Sequence, residues 1–301
     1  MLQASEAHLM SAFTCPYCDS VSDGGGTGCP ACGAPVDVAL KRTPSGWIEM
    51  PPMHDMARIQ CGRSSVQIEG VYVPVADFNL AAGDGVYFGH HELLWKDPGV
   101  QMQQSTLKGG WKRLMAGLPI RMLNATGPGR IAFSRDAAGE TIAIPLHSGR
   151  AIDIREHIFM VATNSVKYDF FPSDVWFQTR DGDETETHYP IGWLLDRFTA
   201  PAEPGLVMIH AHGNAFQRPL APGESILVKP SAFLFKDITV GLQLHFEHPA
   251  NTGTSLWTWG ERYLWLRLTG PGKVAIQSAY GHTHDPGDRI VDTSSSTRRQ
   301  W

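Results

Sequence analysis

Alternating apolar and polar residues, interrupted by turns that contain glycine or proline, make up most of the chain. Residues 263–268 are typical, because leucines at alternate positions are separated by Tyr, Trp and Arg. A period of two indicates a strand with one buried face, since successive side chains on a strand point to opposite sides. Helical periodicity is confined to short stretches at residues 108–116 and 192–197. The pattern therefore predicts an all-β fold.

One β unit recurs three times within this pattern. In each copy a Leu is followed three positions later by Gly, and six, 13 and 20 positions later by apolar residues. We interpret each copy as a strand that ends at Leu, a turn whose Gly takes a positive φ, and further strands with alternating inward residues. The matching residues are Leu80, Gly83, Val86, Leu93 and Val100; Leu146, Gly149, Ile152, Phe159 and Val166; and Leu220, Gly223, Ile226, Phe233 and Val240.

A second motif lies between the copies. Residues 126–131 read Thr-Gly-Pro-Gly-Arg-Ile, residues 269–274 read Thr-Gly-Pro-Gly-Lys-Val, and residues 204–207 are a degenerate version. Three consecutive units, which begin 66 and 74 residues apart, cannot each bury their own apolar face and should close around one core. We therefore predict a double-stranded β-helix or barrel-like domain with internal pseudo-threefold symmetry.

Four cysteines near the N-terminus form two Cys-x-x-Cys pairs, Cys15 with Cys18 and Cys29 with Cys32, separated by ten residues. This spacing lets both sulfurs of a pair reach one ion at about 2.3 Å, and two pairs complete a tetrahedron. We predict one structural Zn²⁺ ion per chain, held in a small zinc ribbon. A redox dithiol and an iron site of rubredoxin type are the alternatives. Cys61 stands alone and is interpreted as a small apolar residue rather than a nucleophile.

These features divide the chain into five parts. The segment after the ribbon is interpreted as a linker because it contains Thr-Pro-Ser-Gly at residues 43–46 and two prolines at residues 51–52. The parts are an N-terminal tail (1–11), the zinc ribbon (12–36), the linker (37–52), the triplicated β domain (53–293) and a polar C-terminal tail (294–301).

Composition and charge narrow the classes of function. With 42% hydrophobic and 18% charged residues, the chain is typical of globular proteins. A net charge of −5 without a clustered basic face argues against nucleic acid as the general partner. No apolar segment reaches the ~18 residues that a membrane helix needs, and paired cysteines suit a reducing compartment. We therefore expect a cytoplasmic protein with no integral membrane segment.

The triplicated Leu-x-x-Gly pattern and the Thr-Gly-Pro-Gly turns resemble the "altered inheritance of mitochondria 24" (AIM24) family over roughly residues 53–290. That resemblance implies a β fold of the kind found in the tryptophan RNA-binding attenuation protein, and a homotrimer, as is typical of bacterial members. It implies no catalytic residue, and the ribbon is an addition to the basic family pattern.

The enzyme alternative depends on histidines. His210 and His212 on one strand would point both rings to one face, as in a cupin-like metal enzyme or small-molecule binder. Cupins add a Glu shortly afterwards and a later His, but residues 213–216 and 231–233 supply neither. We therefore expect these histidines, and those at residues 90–91 and 245–248, to be satisfied by ordinary hydrogen bonds, and His282 and His284 to be solvated loop residues. The acidic run at residues 181–186 is interpreted as a solvated hairpin tip.

The ribbon indicates a binding protein. Zinc ribbons that grip phosphate carry Lys or Arg in the loop between the pairs, and residues 19–28 contain neither. Docking of an unidentified partner protein is the better interpretation, with Phe13 and Tyr17 as apolar contacts. The leading hypothesis is a non-enzymatic homotrimeric scaffold whose zinc ribbon docks a partner. A nucleic-acid-associated protein is a further alternative.

Overall fold

A computed structural model describes residues 13–15, 17–22, 28–34, 44–50, 58–89, 92–106, 121–181, 183–247, 263–280 and 289–293. Within these ranges the chain forms 26 strands, one short 3₁₀ helix at Pro230–Ala232 and no α-helix, so the all-β prediction is confirmed. The helical interpretation of residues 192–197 is wrong, because Leu194–Thr199 is a strand with paired neighbours on both sides. Residues 108–116, both predicted tails and the histidines at 90–91, 248 and 282–284 lie outside the described residues.

Five strands precede the first repeat. They are β1 (Phe13–Thr14), β2 (Val21–Ser22), β3 (Ile48–Glu49), β4 (Ile59–Cys61) and β5 (Ser64–Glu69). The first two form a hairpin, and β3 lies within the stretch interpreted as a linker.

The same six strands then recur in each of three repeats, in the same order. Repeat 1 contains β6 (Val75–Leu80), β7 (Gly85–Phe88), β8 (Leu93–Lys96), β9 (Gln101–Thr106), β10 (Arg121–Thr126) and β11 (Gly129–Ser134). Repeat 2 contains β12 (Glu140–Leu146), β13 (Ala151–Arg155), β14 (Phe159–Thr163), β15 (Lys167–Pro172), an inserted hairpin of β16 (Phe177–Asp181) and β17 (Glu184–His188), then β18 (Leu194–Thr199) and β19 (Gly205–Ala211). Repeat 3 contains β20 (Ala215–Leu220), β21 (Ser225–Val228), β22 (Phe233–Asp237), β23 (Gly241–Glu247), β24 (Tyr263–Thr269) and β25 (Gly272–Gln277), and β26 (Arg289–Thr293) follows.

Strand pairing repeats with the sequence. In every repeat the sixth strand pairs with the first and the third, and the fifth strand pairs with the second and the fourth. Neighbouring repeats are joined where β14 of repeat 2 pairs with β7 of repeat 1, and where β22 of repeat 3 pairs with β13 of repeat 2. All named strand pairs are antiparallel. The described residues therefore form one β assembly with threefold internal repetition.

The turn glycines have the predicted conformation. Gly83, Gly149 and Gly223 have φ values of +83°, +78° and +78°, in the left-handed region that glycine adopts at little cost. The Leu before each turn is buried and ends its strand.

A side-chain contact also repeats three times. The donor is the backbone N–H of the second residue of each sixth strand, namely Arg130, Leu206 and Lys273. Each N–H donates to a side-chain oxygen of the residue at the end of the third strand or directly after it. The acceptors are Asp97 at 2.8 Å, Thr163 at 3.0 Å and Asp237 at 2.8 Å. The degenerate second motif in repeat 2 thus keeps the contact although its sequence has changed.

The repeats differ at the outer edge of their first strand. In repeat 1, β5 pairs along β6, and in repeat 3, β3 pairs with β20. In repeat 2 no described strand pairs with the outer edge of β12, which is the end strand of its six-stranded sheet. Pro145 lies within β12, and proline within sheets is confined to edges because it lacks an N–H donor.

The structure contains no described helix that is both long and apolar enough to cross a membrane.

Candidate metal centre

Two equivalent turns bring the cysteine pairs into position. In the first, Cys15 N–H donates to Ser20 O and Asp19 N–H donates to Cys15 O, both at 2.9 Å. In the second, Cys29 N–H donates to Ala34 O at 2.6 Å and Gly33 N–H donates to Cys29 O at 2.8 Å.

Each turn places a residue with positive φ directly after its second cysteine. Gly33 takes φ +77° and Asp19 takes φ +59°. Gly33 is of the residue type that adopts this region at little cost, whereas Asp19 was missed. The available signal was its residue type, because a short polar side chain tolerates the left-handed region better than most.

The four predicted thiols come together. One sulfur each from Cys15, Cys18, Cys29 and Cys32 lies within 4.8 Å of all the others. The Sγ–Sγ distances are 3.7 Å for Cys15 to Cys32 and 3.7 Å for Cys18 to Cys29. A tetrahedron with Zn–S bonds of about 2.3 Å has edges of about 3.8 Å. The arrangement is therefore compatible with a zinc site.

The pKa values of the four thiols indicate that some of them carry protons that a bound cation would displace. Hydrogen bonding within the cluster, chiefly from Cys18, lowers the pKa of the Cys15 thiol to about 7. Hydrogen bonds from Cys15 and Cys18 also hold the pKa of Cys29 below its ordinary range. The pKa values of Cys18 and Cys32 are raised because both thiols donate to neighbouring sulfurs. Ligand thiols must lose such protons when a divalent cation binds.

Ser20 adds a polar contact beside the sulfurs. Its Oγ lies 2.9 Å from Cys18 Sγ and 3.2 Å from Cys29 Sγ. A hydroxyl at this position can donate to a thiolate, which is the usual role of groups that surround metal ligands.

The ribbon lies against the β domain rather than apart from it. Cys15, Cys29, Cys32 and Ala34 are buried in the same core cluster as residues of β4 to β7. Gln60 N–H of β4 donates to Pro30 O at 3.1 Å. This packing and the one backbone hydrogen bond hold the ribbon against β4, β5 and repeat 1.

Repeat 3 holds the other side of the ribbon. Tyr17 O accepts from Gln217 Nε2 at 3.1 Å and from Lys273 Nζ at 3.3 Å. Lys273 Nζ also lies 2.5 Å from Asp19 Oδ2. The turn that carries Cys15 and Cys18 is therefore held by polar side chains of β20 and β25.

The two apolar side chains that we predicted to contact a partner protein pack partly within the chain itself. Phe13 and Tyr17 are half-buried against the core cluster that includes the cysteines. Val21 on β2 is the large hydrophobic side chain that the described ribbon residues expose to solvent, and it is 67% exposed.

A cavity of about 280 Å³ lies between the ribbon and repeat 2, at whose margin His147 Nε2 is 3.3 Å from Cys18 O. Every residue of β12 lines it. The opposite wall comes from the ribbon, Met50 and repeat 3, and includes Tyr17, Cys32, Ala34, Gln217, Phe235 and Lys273. We call this cavity the β12 cleft.

The second histidine pair does not complete a metal site within the described residues. His210 lies in β19 and His212 follows the end of that strand, with ring centroids 5.0 Å apart. Among the described residues, the group of three or more metal-ligating side chains within reach of one ion is the four cysteines. Within the described ranges, the pair thus has no third ligand of the kind that a cupin-like site requires.

His210 departs from the expectation of ordinary hydrogen bonding. The side chain is buried, and neither Nδ1 nor Nε2 has a hydrogen-bond partner among the described residues. Burial lowers the pKa of His210 to about 4, His212 and Arg135 add to the shift, and the backbone of Ala138 opposes it. The imidazole is therefore neutral at pH 7.

Cys61 and the acidic run behave as the sequence predicts. Burial raises the pKa of Cys61 to about 12, with a further contribution from the charge of Asp84. A thiol with that pKa is a poor nucleophile at neutral pH. β16 and β17 form the predicted hairpin, on which Glu184 and Glu186 are exposed.

Comparisons with known proteins identify a family and a solved structure of similar fold. A family model described as mitochondrial biogenesis AIM24 matches residues 66–279, a range that begins after the ribbon. The crystal structure of protein SPYM3_0169 from Streptococcus pyogenes is similar over 72% of this chain and 94% of its own, with a TM-score of 0.52 and 14% sequence identity. At that identity the similarity concerns the fold alone. No curated protein matches the sequence.

Proposed function

The chain belongs to the mitochondrial biogenesis AIM24 family, and from that premise we propose that it is a non-enzymatic homotrimeric scaffold whose zinc ribbon docks a partner protein. The observation that carries the proposal is the cluster of four thiols packed against the β domain. We place the protein in the cytoplasm, because free paired cysteines suit a reducing compartment.

A structural zinc is the ligand that best fits the cluster. The Sγ–Sγ distances of 3.7 Å match a tetrahedral ion bound by four sulfurs. Four thiolates leave no coordination position for water or substrate, so the metal's contribution is to the folding of the ribbon. The binding role then falls to the surfaces that the ribbon presents and encloses.

Two observations favour a scaffold over a cupin-like enzyme at His210 and His212. The pair has no third metal ligand among the described residues. His210 is also shielded from solvent, with 1% of its surface exposed, whereas a substrate must reach a catalytic metal.

Metal analysis tests the zinc. The full chain should contain one zinc ion per chain, and a variant with all four cysteines changed to Ser should contain none. A second metal that survives this change and is lost in His210→Ala would overturn the scaffold in favour of the enzyme alternative. Native mass spectrometry tests the trimer, and a monomer at micromolar concentration would contradict it.

The docking role needs a variant that leaves the ribbon folded. Deleting the ribbon would expose the core residues that it covers, so a surface substitution is the better test. Val21→Asp changes the exposed apolar residue of the ribbon, and Val71→Asp, on a loop of the β domain, is the matched control. Proteins crosslinked to the full chain in the native host should be lost with Val21→Asp and kept with Val71→Asp. Equal recovery with both variants would show that the ribbon does not dock the partner.

A further inference from the structure

The internal repetition indicates which kind of element fits beside β12, where no strand among the described residues pairs. The outer edge of β6 is covered by β5 over five residue pairs, from Ser65 with Asn79 to Glu69 with Val75. The outer edge of β20 is paired with β3 over two residue pairs, Phe216 with Glu49 and Gln217 with Ile48. At the equivalent edge of β12, none of the described residues pairs, and the β12 cleft lies there instead. In two of three equivalent places, then, a strand occupies the position.

The backbone of β12 presents hydrogen-bonding groups to the cleft. His210 of β19 is opposite Thr141, and its N–H donates to Ile158 O on the side away from β12. In an antiparallel pair, opposing residues turn their backbone groups either toward each other or both away. Thr141 therefore directs its N–H and C=O outward, and Ala143, two residues on, does the same.

Pro145 agrees with this assignment. It is opposite Leu206, whose N–H donates to Thr163 Oγ1 and thus also points away from β12. The N–H that proline lacks would have faced outward, so no hydrogen bond between β12 and β19 is lost. Within the part of the chain that the structure describes, the outward edge of β12 thus has two donors, at Thr141 and Ala143, and three acceptors without a paired strand.

The side chains of the cleft favour an uncharged occupant. Its walls include Ile142, Ile144 and Phe235. Besides Glu140, the charged residues that line it are paired with one another, Lys273 with Asp19 at 2.5 Å and Arg150 with Asp237 at 3.6 Å. A charged side chain entering the cleft would lose hydration without an unused counter-ion among these groups.

The strands that fill the equivalent positions show the matching chemistry. Val66 and Ile68 of β5 are buried, and so is Ile48 of β3. All are β-branched apolar residues, which pack well on a pleated surface. At about 280 Å³, the cleft lies at the lower limit of the ~300–1,000 Å³ typical of small-molecule sites. That volume suits a few side chains of a strand whose backbone lies along the edge.

We propose that the outer edge of β12 binds an extended segment of a partner protein as an added strand, held between β12 and the ribbon, with β-branched apolar side chains at alternate positions. This is the strand-addition mode of peptide recognition, in which backbone hydrogen bonds supply affinity and side-chain pockets supply specificity. The inference rests on the proposed role as a partner-binding scaffold and names what the partner contributes.

A peptide selection with hydrogen exchange tests the proposal. A library of random nine-residue peptides is selected on the full-length, zinc-loaded chain and counter-selected on Met50→Lys. Met50 lines the cleft, and its N–H bond to Ala215 O does not depend on the side chain, so a lysine there places a charge in the cleft without breaking the backbone contact. Met50→Leu is the matched control and should bind selected peptides like the parent.

Amide exchange then reports the binding mode. In the free protein, Thr141 and Ala143 should exchange much faster than their counterparts in β6, which are covered by β5. A selected peptide should slow both amides by about tenfold or more, and its central residues should be uncharged and alternately β-branched.

Three results would overturn the proposal. The first is a selection that yields no peptide that prefers the parent to Met50→Lys. The second is peptide binding that leaves exchange at the Thr141 and Ala143 amides unchanged. The third is slow exchange of these amides in the free protein, which would place a segment of the chain itself on the edge. An acyl compound such as dodecanoate that fills the cleft without protecting these amides, while no peptide binds, would identify a small-molecule site instead. Partners lost with Val21→Asp but kept with Met50→Lys would retain the scaffold and reject the strand-addition mode.

Discussion

The ribbon and the β domain bury their interiors by different means. In repeat 1 the rings of Phe78, Phe88 and Phe133 come from three strands and pack against one another, with centroids 5.7 Å and 4.7 Å from Phe133. In the described part of the ribbon, the buried hydrophobic residues are three cysteines and Ala34. Apolar burial can stabilise the β domain by itself, whereas the ribbon buries little apolar surface of its own and would be stabilised by the proposed zinc and by the surface beneath it.

Loss of the proposed zinc should have the largest effect, and it should unfold the ribbon while leaving the β domain folded. Removing zinc with a chelator, or changing the four cysteines to Ser, should unfold the ribbon, because structural zinc supplies about 10–16 kcal/mol in zinc-finger peptides. Hydrogen exchange measured by mass spectrometry should show complete loss of protection at residues 28–34. The strands of repeats 2 and 3 away from the ribbon should keep theirs. Loss of protection throughout the chain would mean that the β domain also depends on the metal.

A core truncation tests the β domain in the same terms. Phe133→Ala should lower the free energy of unfolding by about 3–5 kcal/mol, because it leaves a cavity between Phe78 and Phe88. Chemical denaturation measures this change, and Tyr72→Ala, at a site that is 83% exposed, should cost less than ~0.5 kcal/mol. The zinc content of the Phe133→Ala variant should be unchanged. Equal costs at the two sites would contradict the assigned core.

Acid should weaken the β domain at a group unrelated to zinc. The pKa of His210 is about 4 in the folded state, against about 6.5 when unfolded. The unfolded chain therefore binds this proton first, and stability falls as the pH drops from about 6.5 toward 4. His210→Gln should remove that part of the pH dependence, up to ~3 kcal/mol. The test compares the free energies of unfolding of parent and variant at pH 7 and pH 5 in the four-Cys→Ser background. A constant difference across this range would show that His210 is not buried as a neutral ring.

The smallest effect concerns the contact between the two regions. Lys273→Met removes the bonds to Asp19 and to Tyr17 O, which should weaken docking of the ribbon by about 1 kcal/mol. Arg130→Met, at the equivalent position of repeat 1, removes a contact with Asp77 and should leave the ribbon unaffected. Exchange rates at residues 17–22 should rise with Lys273→Met alone, while zinc content stays constant. Similar rates in the two variants would show that Lys273 does not hold the ribbon.

Much of the fold was predictable because its signals are local. The period of two identified strands, and the three glycines marked turns that need a positive φ. The insertion of β16 and β17 and the degenerate motif at residues 204–207 did not hide the repeat, since the core positions kept their spacing. Residues 192–197 were misread because a short apolar run fits either a helix or a strand, and only its pairing with β13 and β15 decides between them.

The candidate metal centre was predictable in its ligands but not in its surroundings. The spacing of Cys15, Cys18, Cys29 and Cys32 determines that their thiols can meet, since each pair closes within one tight turn. The contacts of Tyr17 with Gln217 and Lys273 join residues 200 and 256 positions apart. No local pattern reports a contact across that distance, so the docking of the ribbon was not foreseen.

The sequence by itself determined the three β units, their turns and the four thiols, because each depends on residues a few positions apart. Only the tertiary structure decided which edges of those units are covered. The first strands of the three repeats all end at the Leu of the repeated pattern, yet β6 and β20 acquire neighbours from the chain, and β12 faces a cleft under the ribbon. The physical reason is that a strand satisfies one side of its backbone within its own repeat, while the partner of the other side comes from wherever the folded chain brings a free strand.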